Sequence, residues 1–67
     1  MQGVVKWFDV LKGYGFITGQ DGDDYFVHHT AVAGEGWKVL ERDAEVDFEI
    51  GESPSGKTVA TNVRGLN

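Results

Sequence analysis

The chain is predicted to be all-β, a small closed barrel of five antiparallel strands, and three observations predict it. Five short stretches are rich in β-branched and aromatic residues or alternate apolar with polar ones. Turns rich in glycine and aspartate separate several of them, Gly19-Gln20-Asp21-Gly22-Asp23-Asp24 being the clearest. Nothing of helical length carries an apolar period of about 3.6 residues. Strands this short in a lone sheet would expose their edges, and closure removes those edges.

The first strand is expected from Val4 to Phe8. Strict alternation pairs Val5 with Trp7 and Lys6 with Phe8, whereas a bulge would present both Lys6 and Trp7 outward. Asp9 to Gly13 is a short connection in which Val10 and Leu11 are oddly apolar, suited either to capping the barrel or to touching a ligand. Tyr14 to Thr18 makes the second strand. Across the Asp-Gly turn, Tyr25 to His28 makes the third, antiparallel to the second. Thr30 to Asp43 lacks a strand pattern, with one helical turn expected at Thr30-Ala31-Val32 and a break at Gly34-Glu35-Gly36. A connection this long in a small domain is often functional, and an exposed Trp37 beside Lys38 would suit a base. Glu45 to Ile50 is the clearest strand, with Val46, Phe48 and Ile50 facing in and Glu45, Asp47 and Glu49 facing out. A loop with the only proline, Pro54, leads to the fifth strand, Thr58 to Val63, whose Val59, Thr61 and Val63 share one side. Such a set suggests an OB-type Greek-key barrel with strands one to three presenting a ligand face.

The chemistry lies in Lys12-Gly13-Tyr14-Gly15-Phe16-Ile17. Spacing by two puts the rings of Tyr14 and Phe16 on one face of a strand. A buried strand would rarely spend two of six positions on glycine while pairing two large rings. Tyr25-Phe26-Val27-His28-His29 alternates again, with Phe26 and His28 on one side and Tyr25 and Val27 on the other. Lys6-Trp7-Phe8 adds a third cluster of cation and aromatic. One such pair alone would be read as core; three within the first 29 residues point to stacking against unpaired bases, because every base offers a π-face and every nucleotide a phosphate.

Composition bounds the rest. A chain of 67 residues accommodates one domain, expected over 1–67, burying only about 60% of its unfolded surface. Without cysteine it has neither a disulfide nor a thiolate zinc site, in keeping with a reducing cytoplasm. No apolar run approaches the roughly 20 residues of a membrane span, and the start lacks a signal-peptide pattern. The net charge of −5 runs against the usual basic footprint of a nucleic-acid binder. Its distribution is less hostile, since Glu41, Asp43, Glu45, Asp47, Glu49 and Glu52 cluster in one segment while Lys6 and Lys12 flank the aromatics. Acids of that kind solvate one face and leave the other free.

The motif Lys12 to Ile17 resembles the first ribonucleoprotein motif of bacterial cold-shock proteins, and Tyr25 to His29 resembles their second. Gly3 to Phe8 is similar to their opening strand, Gly34 to Lys38 to their long loop, and Val46 to Ile50 to their fourth strand. The resemblance runs essentially end to end. It implies a five-stranded OB-type barrel that is cytoplasmic and non-enzymatic, needs no cofactor, and works as a monomer. It further implies binding of single-stranded RNA and DNA with weak sequence preference, pyrimidine-rich strands being favoured, as an RNA chaperone or a regulator of transcription or translation. By position, the implied binding residues are Lys6, Trp7, Lys12, Tyr14, Phe16, Phe26, His28 and Trp37, with His29 and Lys57 added: rings and His28 stack on bases, and Lys6 and Lys12 meet phosphates.

Four features depart from the family pattern. Val4 stands where many relatives carry another lysine, Val10-Leu11 replaces a usually polar pair, and His29 stands where phenylalanine or tyrosine is common. The loop from Glu52 to Lys57 is about one residue longer. Val4 and His29 bear on affinity rather than on fold. Among rivals, an RNA-recognition-motif domain needs two amphipathic helices and the opposite order of aromatic strands. A metal or hydrolase site on His28, His29, Asp21, Asp23 and Asp24 is disfavoured, since adjacent strand histidines point to opposite faces. An SH3-like barrel binding proline-rich peptides is the alternative function, but it has no need of lysines beside the rings.

Overall fold

A computed structural model describes residues 1–32 and 40–65. Five strands form a closed barrel: β1 (Gln2–Asp9), β2 (Tyr14–Gly19), β3 (Asp24–His28), β4 (Glu45–Glu52) and β5 (Thr58–Gly65). Around the barrel the order is β1-β2-β3-β5-β4, with β4 returning to β1. Every neighbouring pair is antiparallel except β3 and β5, which run parallel through Phe26 and Val59. The expected all-β, five-stranded OB-type barrel is therefore the architecture, with each strand one to three residues longer than its expected stretch. The expected helical turn is a 3-10 turn at His29–Ala31.

Inside lie Val5, Ile17, Tyr25, Val27, Val32, Leu40, Val46, Phe48, Ala60 and Val63. Phe48 is the largest side chain removed almost entirely from water. Burying each such side chain is worth about 1.5–3 kcal/mol, which is what lets so short a chain hold a closed barrel without staples.

Two bulges decide which side chains face out. In β1 the register with β2 shifts between Val5 and Trp7, so Lys6 is the extra residue. Val5 stays in the core, and the bulge sends Trp7 to the outer face that strict alternation would have denied it. In β5 the register with β4 shifts opposite Phe48, and Asn62, with φ of 53°, is the extra residue. This corrects the expected grouping of Val59, Thr61 and Val63. Ala60 and Val63 are the inward pair, while Val59 and Thr61 are half-buried outside it.

Two further expectations are corrected. Ile50 does not fill the core but is 51% exposed. β1 pairs with β4 only over Glu45, Val46 and Asp47, so Ile50 sits on the stretch that pairs with β5 alone. Nor do Val10 and Leu11 cap the barrel: they stand out into solvent, Leu11 at 95%. Their turn is locked from below, with Asp9 Oδ1 accepting from the N–H groups of Leu11 and Lys12 and the Asp9 carbonyl accepting from Gly13 at 2.7 Å.

Candidate nucleic-acid interface

Cross-strand register assembles the site. Trp7 pairs with Phe16, Phe16 with Phe26, and Phe26 with Val59, so four neighbouring strands contribute one row on the outer face. The next row toward the β1–β2 turn pairs Asp9 with Tyr14 and Tyr14 with His28. Ring centroids lie 5.5 Å apart for Trp7 and Phe16 and 5.8 Å apart for Phe16 and Phe26. Tyr14 stands 5.9 Å from Trp7 and 5.6 Å from Phe26. All four rings are half-buried: their edges pack on one another, while the core takes the opposite face of the same strands.

The glycines of the motif follow from this packing. A Cβ on Gly15 would meet the Trp7 carbonyl oxygen at 2.2 Å and Phe8 Cα at 2.7 Å, so β1 and β2 can approach only where no side chain exists. Gly13, with φ of 77°, turns the chain into β2, and a Cβ there would strike the His29 ring.

The histidines are closer than alternation predicts. β3 ends at His28, and His29 opens the 3-10 turn, so the two rings lie side by side with centroids 4.4 Å apart rather than on opposite faces. His29 N–H donates to the Gly13 carbonyl at 2.8 Å, tying the turn to the start of β2. Thr30 orients the other ring. Its N–H approaches His28 Nδ1 at 3.4 Å and its Oγ1 lies 2.9 Å from the same nitrogen. A backbone N–H only donates, so Nδ1 is the acceptor of that contact.

The cations are placed unequally. Lys6 Nζ donates to Asp24 Oδ2 at 2.8 Å, and Thr18 Oγ1 donates to Asp24 Oδ1 at 2.9 Å. The Lys6 ammonium, then the Thr18 hydroxyl, hold the Asp24 carboxyl below the usual carboxylate range. Lys12, in the β1–β2 turn, and Lys57, two residues before the Val59 that neighbours Phe26, are exposed. Trp37 lies outside the described residues. Of the sequence-derived candidates, Lys6, Trp7, Tyr14, Phe16, Phe26, His28 and His29 are thus brought onto or beside one face, with Lys12 and Lys57 near its ends. Sequence reasoning missed Asp24, Thr30 and Val59, whose places depend on pairing across strands. Among the described residues, no three His, Cys, Asp or Glu side chains gather as a metal would require, and no helix is long and apolar enough to cross a membrane.

Comparison with known proteins agrees with this geometry. The model of the "cold-shock" DNA-binding domain matches residues 1–66. The probable cold shock protein A of Mycobacterium tuberculosis is 53% identical over 66 residues, covering 97% of each chain. The cold shock protein CspB of Bacillus caldolyticus is 51% identical over 63 residues, covering 94% of this chain and 96% of its own. The cold shock-like protein of Thermotoga maritima is 52% identical over 60 residues, covering 90% and 91%. With its barrel, its outward aromatic rows and a match over nearly its whole length, the chain belongs to the cold-shock domain family, a family of nucleic-acid-binding domains.

Proposed function

We propose that the chain, as one domain and a monomer in the cytoplasm, binds single-stranded RNA and DNA without catalysis by stacking successive bases on Trp7, Tyr14, Phe16, Phe26 and His28. His29 extends the stack, and Trp37 belongs to it by its place in the family motif. Lys6, Lys12 and Lys57 meet phosphates. Specificity is low, with pyrimidine-rich strands preferred, and the role is that of an RNA chaperone or a regulator of transcription or translation. The observation that carries this reading is the row of Trp7, Phe16 and Phe26 across three strands, an apolar platform kept out of the core. Stacking on such rings is worth about 1–3 kcal/mol per base and tolerates any sequence.

Titration followed by tryptophan fluorescence tests it. Oligothymidine of about 6–8 nucleotides, a span fitting one OB barrel, should quench the emission. A duplex of the same length and a proline-rich peptide should not. Equal quenching by duplex and single strand would sink the stacking mechanism, and a response to the peptide alone would favour the SH3-like reading.

A further inference from the structure

The outer face does not stop at the aromatic rows. Two residues beyond Phe16 on β2, and so on the same face, stands Thr18. Register pairs Thr18 with Val4 and Val4 with Glu45, so β2, β1 and β4 contribute one more row of directly opposed side chains. Strands lie about 4.8 Å apart, which makes this row about 10 Å wide from Thr18 to Glu45. Gln2 and Gln20 form its outer rim, held together by the Gln20 N–H donating to the Gln2 carbonyl at 3.0 Å. Between them opens a cleft of about 330 Å³. That is the low end of the volumes that hold small ligands, roughly 300–1,000 Å³.

Its chemistry differs from that of the rings. Val4 makes an apolar floor that is 40% exposed. The Thr18 hydroxyl is spent on Asp24, so among the described residues the polar groups of the lining left without a partner are the two glutamine amides and the Glu45 carboxylate. A carboxylate accepts from an amine and repels a phosphate. Asp47, paired with Gln2, adds negative charge at the rim, though it also faces the N-terminal ammonium at 3.6 Å and Arg64 at 3.7 Å. Lys6, bonded to the same Asp24 carboxylate as the Thr18 of the lining, is placed to keep the backbone beside the cleft while a base turns into it.

We propose that this cleft is a further base-binding site, taking one base that bears an exocyclic amine, and so discriminating against thymine and uracil at a single position of the bound strand. The proposal rests on the single-strand reading above. The flat base lies on Val4, its amine donates to Glu45, and the glutamine amides meet its remaining edge. Carboxylates read the cytosine amine in this way elsewhere.

The test is a scan of oligothymidine octamers carrying one cytosine, adenine or guanine at each position in turn, titrated by tryptophan fluorescence against wild type and Glu45→Ala. Glu45 is exposed, so the variant should melt with wild type and bind unsubstituted oligothymidine at least as tightly. The expected result is one position at which an amino-bearing base binds several-fold tighter than thymine, with that advantage gone in Glu45→Ala. No such position, or an advantage that survives the substitution, overturns the cleft while leaving stacking intact. Failure of oligothymidine itself to bind overturns the stacking reading and the cleft with it.

Discussion

At the scale of the residue, the two sides of one strand do different work, and substitution can separate them. Phe16 and Phe26 sit outside, touching each other and their neighbouring rings; Val46 sits inside at 1% exposure. Phe16→Ala and Phe26→Ala should each weaken binding of oligothymidine by about 1–3 kcal/mol while the barrel persists. Val46→Ala removes two buried methyl groups and leaves a cavity, costing about 2 kcal/mol. In a domain of this size that lowers Tm by about 10 °C. If the phenylalanine variants unfold and the valine variant merely binds less, the faces have been inverted. Tyr25 carries a second, pH-dependent consequence. Its hydroxyl donates to Asp21 Oδ2, and that bond, with burial and the Asp21 and Asp23 charges, pushes the phenol up to about 12. The folded state therefore holds its proton more tightly than the unfolded chain, whose phenol titrates near 10. Stability from this group is full below about pH 10 and is lost as pH rises from there toward 12. Tyr25→Phe should flatten the fall in denaturant midpoint over that window.

At the scale of the element, strands were legible, and parity failed only where a bulge intervened or cross-strand cover ended. Alternation marks where β4 and β5 run, because each side of a strand meets a different solvent. A bulge inserts one residue without changing composition, and Thr61-Asn62-Val63 reads as well without one as with it. The β1 bulge left a trace, since Trp7 and Phe8 are adjacent and both aromatic. The outer rows were legible for the same local reason, rings spaced by two. Asp24 beside Lys6, and Thr18 in line with Val4 and Glu45, depend on register between strands, which no local window contains. His29 was misplaced because the end of β3 is set by the 3-10 turn and not by the pattern around it. The β5 bulge itself is testable. At φ of 53° Asn62 is in the left-handed region, which asparagine and glycine tolerate and a β-branched residue does not. Asn62→Gly should melt close to wild type, whereas Asn62→Val should lose about 1–2 kcal/mol in chemical denaturation. Equal stability of the two variants would mean that β5 runs without the extra residue.

At the scale of the whole molecule, the question is how a chain of net charge −5 holds a polyanion. Four of the eleven acids lie on a strand that carries none of the outer rings. Glu45, Asp47, Glu49 and Glu52 are on β4, which touches the aromatic rows only through its neighbours β1 and β5. Near the rings stand Lys6, Lys12 and Lys57, and Lys6 is already shared with Asp24. Binding must then draw on stacking more than on neutralised phosphate, and salt dependence separates those contributions. For single strands, log K falls with log salt by about 0.7 for each phosphate neutralised. Two or three such contacts give a slope of roughly −1.4 to −2.1. Lys6 adds less than a full contact as long as Asp24 keeps its ammonium, so the shallow end of that range is expected. Fluorescence titrations of an oligothymidine octamer at several salt concentrations measure the slope directly. Lys12→Gln should make it shallower by nearly one contact, and Phe26→Ala should lower K at every salt concentration while leaving the slope unchanged. A slope steeper than about −5 would require more phosphate contacts than the face has cations, and would move the source of affinity from the rings to charge.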